Sequence, residues 1–383
     1  MKRWTAILLA CVFVMTLMAG CGGGDNEPVT TGEEIKIGAI FPLTGDVSTF
    51  GQSTLNSVML ATKEWNERGG IDGKMIKLVS EDDKNDPTES ANAALKLINQ
   101  DGVVALIGSV TSKCTLSVAP IAQQNGLPMI TPTSTNEQVT EQGDFIFRSC
   151  FIDPFQGQVM AKFAWDELGA QKAAVLFDLS NDYTKGLAEA FQSAFTTLGG
   201  EIVASETYAF GDQDFNAQLT KIKGVEPDVL FLPDYYSTVG LIMKQARELG
   251  LEATFLGGDG WDSPELVPIA GDAAEGGYFS NHYSPESEDP VAVAFLQAYQ
   301  AEYGAVPDAL GSLAYDAAHL LFNAIDQADS TEPAAIRDAL ANTEGFHGVS
   351  GEYRFDENRN PIKSAAIITI KDGKQSFVGM VAP

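Results

Sequence analysis

IKIGAIFPLTGDVSTFGQSTLNSVMLATKEWNERGGIDGKMIKLVS, residues 35–80, contains one complete folding unit. Its two ends, IKIGAI (35–40) and MIKLVS (75–80), are short apolar runs and read as buried strands. Between them STLNSVMLATKEWNE (53–67) carries its apolar residues at helical spacing, and the glycines of NERGGIDGK (66–74) end that helix and turn the chain into the next strand. Strand, helix, strand in this rhythm predicts a βαβ unit and a parallel sheet. The loop after the first strand, FPLTGDVSTFG, has no G-x-G-x-x-G, so a dinucleotide cradle is excluded there.

The rhythm continues outward. TESANAALKLINQ (88–100) reads as a helix, and VVALIG (103–108) and PMIT (128–131) as strands. After FIDPFQG (151–157) it restarts: AAVLF (173–177), EIVASETYA (201–209), DVLFLP (228–233) and ATFLGG (253–258) alternate with helical stretches near 184–198, 214–223 and 238–249. Two α/β halves in tandem predict two doubly wound parallel-sheet lobes, as does a length of 383 residues, since one core stops growing at roughly 250–300. A further helical region (290–328 and 333–342) and the strands EYRF (352–355) and AAIITI (365–370) are too little for a third domain and should add to the two lobes. The chain then crosses between lobes more than once, which makes a hinge. The expected limits are 35–152 and 284–360 for the first lobe, and 153–283 and 361–383 for the second.

Upstream, Lys2 and Arg3 precede an uncharged stretch from Ala6 to Gly20, too short for a spanning helix and suited to a secretory signal over residues 1–20. Leu17-Met18-Ala19-Gly20-Cys21 resembles a bacterial lipobox, so Cys21 is expected to begin the mature chain and to carry lipid. Residues 21–34 would then form a flexible tether. The net charge is −28, and no Lys/Arg cluster interrupts it, so nucleic acid is not an expected partner. No apolar run after Cys21 approaches spanning length; the body is expected outside the cytoplasm, on a bacterial membrane through its lipid alone. Of the four cysteines, Cys11 would leave with the signal and Cys21 would be lipidated. Cys114 and Cys150 remain and are expected to form a disulfide, the alternative being two buried thiols.

Enzyme motifs are scarce. There is no G-x-x-x-x-G-K-[ST] and no G-x-S-x-G, and His282, His319 and His347 have no metal-like spacing. DENRNP (356–361) imitates the start of an EF-hand loop but places Pro361 where that turn needs glycine. No catalytic residue, metal or cofactor is expected. Asp82 and Asp83 end a strand and read as a solvated strand end or, less simply, as ligand contacts.

Two loops carry the chemistry of the first half. GSVTSKCT (108–115) and TPTSTNEQ (131–138) each follow a strand and should each open a helix, at the sheet edge where α/β proteins hold ligands. Hydroxyls beside free helix N–H groups favour an anion, although such residues also serve as caps. In the second half Tyr183, Tyr235, Tyr236, Asp259 and Trp261 occupy equivalent loops. If the lobes face one another, one side offers donors for a carboxylate and the other an acid for an ammonium, with rings for a side chain. That is a cleft for a free α-amino acid.

These residues are similar in order and spacing to the extracytoplasmic solute-binding proteins of branched-chain amino acid ABC transporters. The resemblance runs through WNERGGIDGKMIKLVSEDDKNDP, VVALIGSVTS, APIAQQNGLPMITPTST, SNDYTKG, KQARELG and FLGGDGWDSPEL as well as the opening strand and loop. It implies a type I periplasmic binding protein fold, two α/β lobes joined by three crossovers that close over the ligand. It also implies carboxylate-binding hydroxyls at Ser112 and Thr135, backbone contacts near Thr133 and Ser134, an ammonium-binding acid at Asp259, and pocket aromatics at Phe50, Tyr183 and Tyr235 or Tyr236. The family often has glutamate where this chain has Asp259, so the preferred ligand stays open among branched-chain and related amino acids. The implied partner is the permease of an ABC transporter. The rival reading is an extracytoplasmic sensor of a small amide or organic acid built on the same fold.

Overall fold

The computed structural model describes residues 34–383. The expected signal peptide, the lipidation site Cys21 and almost all of the tether lie outside the described residues. The first half runs β1 (Ile35–Phe41), α1 (Ser48–Glu67), β2 (Ile76–Asp82), α2 (Pro87–Lys96), β3 (Ala105–Gly108), α3 (Ser112–Gln124), β4 (Met129–Thr131), α4 (Gln138–Glu141) and β5 (Ile146–Arg148). Its strands form one parallel sheet in the order β2-β1-β3-β4-β5, with Ile35 opposite Ile76 and Ile37 opposite Ala105. Successive side chains of a strand point to opposite faces. Ile37, Ala39 and Phe41 accordingly join one core, while Ile40 joins Ala94 of α2 and Val118 of α3 in another.

The second half runs α5 (Asp153–Asp166), β6 (Lys172–Asp178), α6 (Asp182–Thr197), β7 (Glu201–Tyr208), α7 (Asn216–Gly224), β8 (Val229–Leu232), α8 (Tyr236–Glu248), β9 (Thr254–Gly257), α9 (Leu266–Ala270) and β10 (Tyr278–Asn281). There follow α10 (Pro290–Tyr303), α11 (Ala309–Ala328), α12 (Pro333–Ala341), the hairpin strands β11 (Phe346–Gly348) and β12 (Gly351–Tyr353), then β13 (Ala365–Lys371) and β14 (Lys374–Val381). The second sheet has the order β14-β13-β10-β9-β8-β6-β7, parallel from β7 to β10 and antiparallel at β13 and β14.

α11 packs on α1 and on β3 and β4, so the chain returns to the first sheet after β10 and goes back to the second at β13. The two sheets are therefore linked three times: after β5, after β10 and after β12. Short polar side chains start several of the helices. Asp86 caps α2, Asn181 caps α6, Asp289 caps α10 and Asp308 caps α11, each accepting from N–H groups of the first turn. Each such cap contributes about 1 kcal/mol.

Several expectations need correction. TPTSTNEQ does not open a substantial helix; only the single turn of α4 follows it. The expected helical region 290–328 is present, as two helices divided where Gly304 takes a left-handed φ of 69°. β5, α5, β10 and β14 were not anticipated. The expected Cys114–Cys150 disulfide is not formed, and both thiols are free and buried. The physical reason is that each sulfur is seated against its own polar partner: Cys114 Sγ lies 3.8 Å from Asn85 Oδ1, and Cys150 Sγ lies 3.2 Å from the Ser134 carbonyl oxygen. Burial pushes the Cys114 thiol up to about 11 and the Cys150 thiol up to about 12. Neutral buried thiols are poor nucleophiles. Iodoacetamide should therefore leave both unmodified in the folded protein and label both after unfolding without reductant. Peptide mapping checks this, and labelling only after reduction would restore the disulfide.

Candidate functional site

Parallel strands end on the same edge of their sheet, so the loops after β1, β3 and β4 converge at one edge, and those after β6, β8 and β9 at another. In the first set, hydroxyl groups stitch two loops together. Thr131 Oγ1 donates to the Ser109 carbonyl at 2.6 Å and Thr133 Oγ1 to the Val110 carbonyl at 2.6 Å. Ser134 Oγ meets Val110 O at 3.0 Å and Thr115 Oγ1 at 2.6 Å. Ser112 Oγ, at the start of α3, accepts from the Asn136 N–H at 3.3 Å.

Two buried charged groups hold these loops from behind. Arg148 at the end of β5 is wholly buried and donates to the carbonyls of Ser134 (2.7 Å) and Asn136 (2.8 Å). Asp83 is 1% exposed and accepts from Ser109 Oγ, from Ser90 Oγ at 3.1 Å and from the Asn85 N–H at 3.0 Å. Burial raises its carboxyl above the usual range. Asp83 is therefore no solvated strand end; it anchors the loop that leads into α3. Asp82 is the more exposed of the pair, and it ties down the loop after β1 by accepting from the N–H groups of Leu43 and Thr44.

On the other edge the acid is Asp259. Tyr183, in the first turn of α6, donates its hydroxyl to Asp259 Oδ1 at 2.9 Å and accepts from the Gly260 N–H at 3.2 Å. Tyr183 stacks on Tyr235, with ring centroids 5.2 Å apart and planes 8° from parallel. Gln156 Oε1 accepts from the Asp259 N–H at 2.8 Å, which fixes the backbone under the carboxylate. Burial raises the Tyr183 phenol well above its ordinary value, so it stays a donor.

The two edges meet. Phe50, in the first turn of α1, packs edge-on against Tyr235 at 5.9 Å and Tyr236 at 5.1 Å. Thr49 Oγ1 lies 3.0 Å from Ser263 Oγ, and Asn136 Nδ2 donates to the Asp182 carbonyl at 2.9 Å. Between them lies a cavity of about 20 Å³, lined by Phe50, Ser112, Thr133, Tyr183, Tyr235 and Asp259 together with Val110, Thr111, Gly260 and Leu310. A water needs about 10–15 Å³, so anything larger enters only if the lobes part or the rings move. Ser134, Thr135 and Tyr236 sit just outside this lining. The hydroxyl of Thr135 is buried without a hydrogen bond, and Tyr236 backs Phe50. A larger hollow of about 600 Å³ opens between α5, α6 and the 136–138 loop. Among the described residues no cluster of acids, histidines and cysteines suits a metal.

Six of the nine sequence-predicted residues thus converge on one cavity at the meeting of two strand-end edges. A sequence model of the family described as "Periplasmic binding protein" matches residues 34–375. The chain belongs to the periplasmic binding protein family. Leu/Ile/Val-binding protein homolog 3 of Brucella melitensis is 32% identical over 327 residues, covering 85% of this chain and 88% of that protein. The leucine-, isoleucine-, valine-, threonine- and alanine-binding protein of Pseudomonas aeruginosa is 32% identical over 85% of this chain and 86% of its own. Among solved structures, the leucine binding protein LivK of Thermotoga maritima is 41% identical with a TM-score of 0.88, covering 91% of this chain and 99% of that one. LivJ of Streptococcus pneumoniae, solved in complex with isoleucine, is 37% identical with a TM-score of 0.87, covering 92% and 100%. The fold of this periplasmic binding protein is the type I arrangement, two α/β lobes joined by three crossovers. Among the described residues no helix is long and apolar enough to cross a membrane.

Sequence reasoning missed Arg148, Gln156, Leu310 and the role of His282, and it read Asp83 as a strand end or ligand contact and not as a loop anchor. Leu310 could have been found, since Asp308 caps the helix that carries it into the cleft. Arg148 gave no signal beyond a charge at the end of an apolar triplet. Replacing it by methionine removes charge-assisted hydrogen bonds to two buried carbonyls, each worth about 1.5–3 kcal/mol, and leaves Ser134 O only the weak Cys150 thiol donor and Asn136 O only the Val139 N–H. Arg148→Met should lower the unfolding free energy by about 3 kcal/mol or more, measured by urea denaturation, and a change below 1 kcal/mol would refute the anchoring role.

Proposed function

We propose that this protein captures an α-amino acid with an aliphatic side chain, a branched-chain one foremost, and delivers it to the permease of an ABC transporter. The observation that carries the reading is the opposition across one cavity of Asp259 with its Tyr183 donor on the second lobe, and the hydroxyl-lined loops at Ser112 and Thr133 on the first. Asp259 would take the ammonium. Ser112, Thr135 and the backbone at Thr133 and Ser134 would take the carboxylate. Phe50, Tyr235, Val110 and Leu310 would surround the side chain. LivJ in complex with isoleucine supports this assignment of the ligand class.

The binding cycle follows from the packing. The lobes, residues 35–152 with 284–360 and residues 153–283 with 361–383, would part by rotation about the three crossovers, exposing Ser112 and Thr133. The amino acid would land first on these donors. Closure would bring Asp259 onto the ammonium and the rings onto the side chain, in a site emptied of water, where a charged hydrogen bond is worth more than an exposed one. Attachment to a bacterial membrane rests on the lipobox-like Leu17–Cys21, with Cys21 as the lipidated first residue.

Isothermal titration with L-leucine, L-isoleucine and L-valine tests the assignment. Removing one partner of a buried charge pair costs about 3 kcal/mol or more, so Asp259→Ala should weaken binding at least a hundredfold. Ser112→Ala should cost about 1–2 kcal/mol, because neighbouring N–H groups remain. Affinity of Asp259→Ala within threefold of wild type would sink the reading.

A further inference from the structure

Asp259 has a second partner that the cavity does not show. His282, the first residue after β10, is 2% exposed, and its Nε2 lies 2.9 Å from Asp259 Oδ2. Phe151, from the link after β5, lies against the imidazole with centroids 3.6 Å apart and planes 27° from parallel. The His282 N–H donates to Asn281 Oδ1 at 2.9 Å, and Asn281 Nδ2 in turn donates to Asp262 Oδ2 at 2.9 Å. His282 Nδ1 is buried and has no hydrogen-bond partner. The ring is thus stacked on Phe151, its backbone is tied to Asn281, and Nε2 makes its one hydrogen bond, to Asp259.

We propose that His282 is the positioning residue of the ammonium subsite: as a neutral Nε2–H donor it fixes Asp259 Oδ2, and as a cation it competes with the ligand's ammonium for the same carboxylate. The inference rests on Asp259 being the ammonium acceptor. Tyr183 holds Oδ1 and His282 holds Oδ2, so rotating the carboxylate would break both hydrogen bonds. The clamp also joins two of the three crossovers, because Phe151 and His282 stand in different ones. The acid is therefore oriented by the segments that bend when the lobes move.

The groups facing His282 set the direction of its titration. Burial lowers its pKa first and most; Asp259 and Asp262 favour the cation, and Lys363, from the link after β12, opposes it. A neutral ring at pH 7 leaves the full negative charge of Asp259 to the ligand. Protonation puts a like charge beside the ammonium, so ligand binding must expel that proton. By linkage, affinity should fall with falling pH, by up to tenfold per unit below the point where His282 titrates in the free protein.

Titration calorimetry with L-leucine from pH 5 to pH 8 tests this on the full protein, in wild type, His282→Gln, His282→Leu and Asp259→Ala. Wild type should weaken toward pH 5 and release a proton on binding there, read from two buffers of different ionisation enthalpy. His282→Gln keeps a donor but cannot titrate, so it should bind within about fivefold of wild type at pH 8 and lose the acid limb. His282→Leu should lose tenfold or more even at pH 8. An acid limb unchanged in His282→Gln, or a flat wild-type profile, overturns the inference. If Asp259→Ala binds as wild type does, the proposed function itself fails; if it loses binding while both His282 variants behave as wild type, only this inference fails. Nitrogen-15 NMR of wild type, with its three histidines, does not depend on the variants folding or on leucine binding. It should show His282 as the Nε2–H tautomer at pH 8, and the Nδ1–H tautomer would overturn the proposal.

Discussion

A carboxylate taken out of water must be met by donors, and the burial of Asp259 between two lobes imposes that requirement on everything around it. Two groups meet it, the Tyr183 hydroxyl and His282 Nε2 at the two oxygens, while Gln156 Oε1 accepts from the backbone N–H beneath. These residues come from α6, from the link after β10 and from α5, so one residue draws three separate segments together. The stacked Tyr183 and Tyr235 rings and the edge of Phe50 then shut out solvent. An exposed aspartate would need none of this and would hold an ammonium only weakly.

The opposite lobe solves a different problem. Its site is made of backbone and hydroxyl groups, which carry no net charge and must be kept at fixed positions. The chain does this with buried charge placed behind the loops: Asp83 under the Ser109 turn and Arg148 under residues 134–136. Both are anchors for loops that would otherwise be free to adjust, and they leave the ligand-facing surface neutral. On the proposed reading, placing the cavity's carboxylate on the far lobe means that the ammonium contact would form only on closure.

The crossovers themselves carry a buried polar network. Lys363 donates to the Ser149 carbonyl at 3.1 Å and to Tyr353 Oη at 2.9 Å. Tyr353 Oη donates to Asp316 Oδ2 at 3.0 Å, and Asp316 accepts from the N–H groups of Val349 and Ser350. Burial lowers the Lys363 ammonium to about 8, with Asp316 acting against that shift. Every group in this set has a partner, and the partners belong to the first link, the third link, the β11–β12 hairpin and α11. Satisfied networks of this kind specify one arrangement of the chains they join. Here they hold the first and third links at a common point beside the helix they cross.

Strand and helix periodicity, turn glycines and helix caps are local properties, and IKIGAI, STLNSVMLATKEWNE and their successors were legible as βαβ units because each carries its own spacing. The positions of Ser112, Thr133, Tyr183, Tyr235 and Asp259 were legible for the same reason: each follows a strand, and strand ends in a parallel sheet share an edge. Short elements escaped. IFR and YFSN have three and four residues, too few to show a period, and they are strands only because neighbours supply their hydrogen bonds. The Cys114–Cys150 pairing failed because counting cysteines says nothing about what each sulfur faces. His282, Gln156 and Arg148 had no local signature at all, since their roles come from contacts with residues 23, 103 and 14 positions away. Sequence alone determined the two lobes and which loops carry the chemistry, because those follow from short-range pattern. Only the tertiary structure decided which donors reach Asp259, because a buried charge takes its partners from wherever the fold brings them.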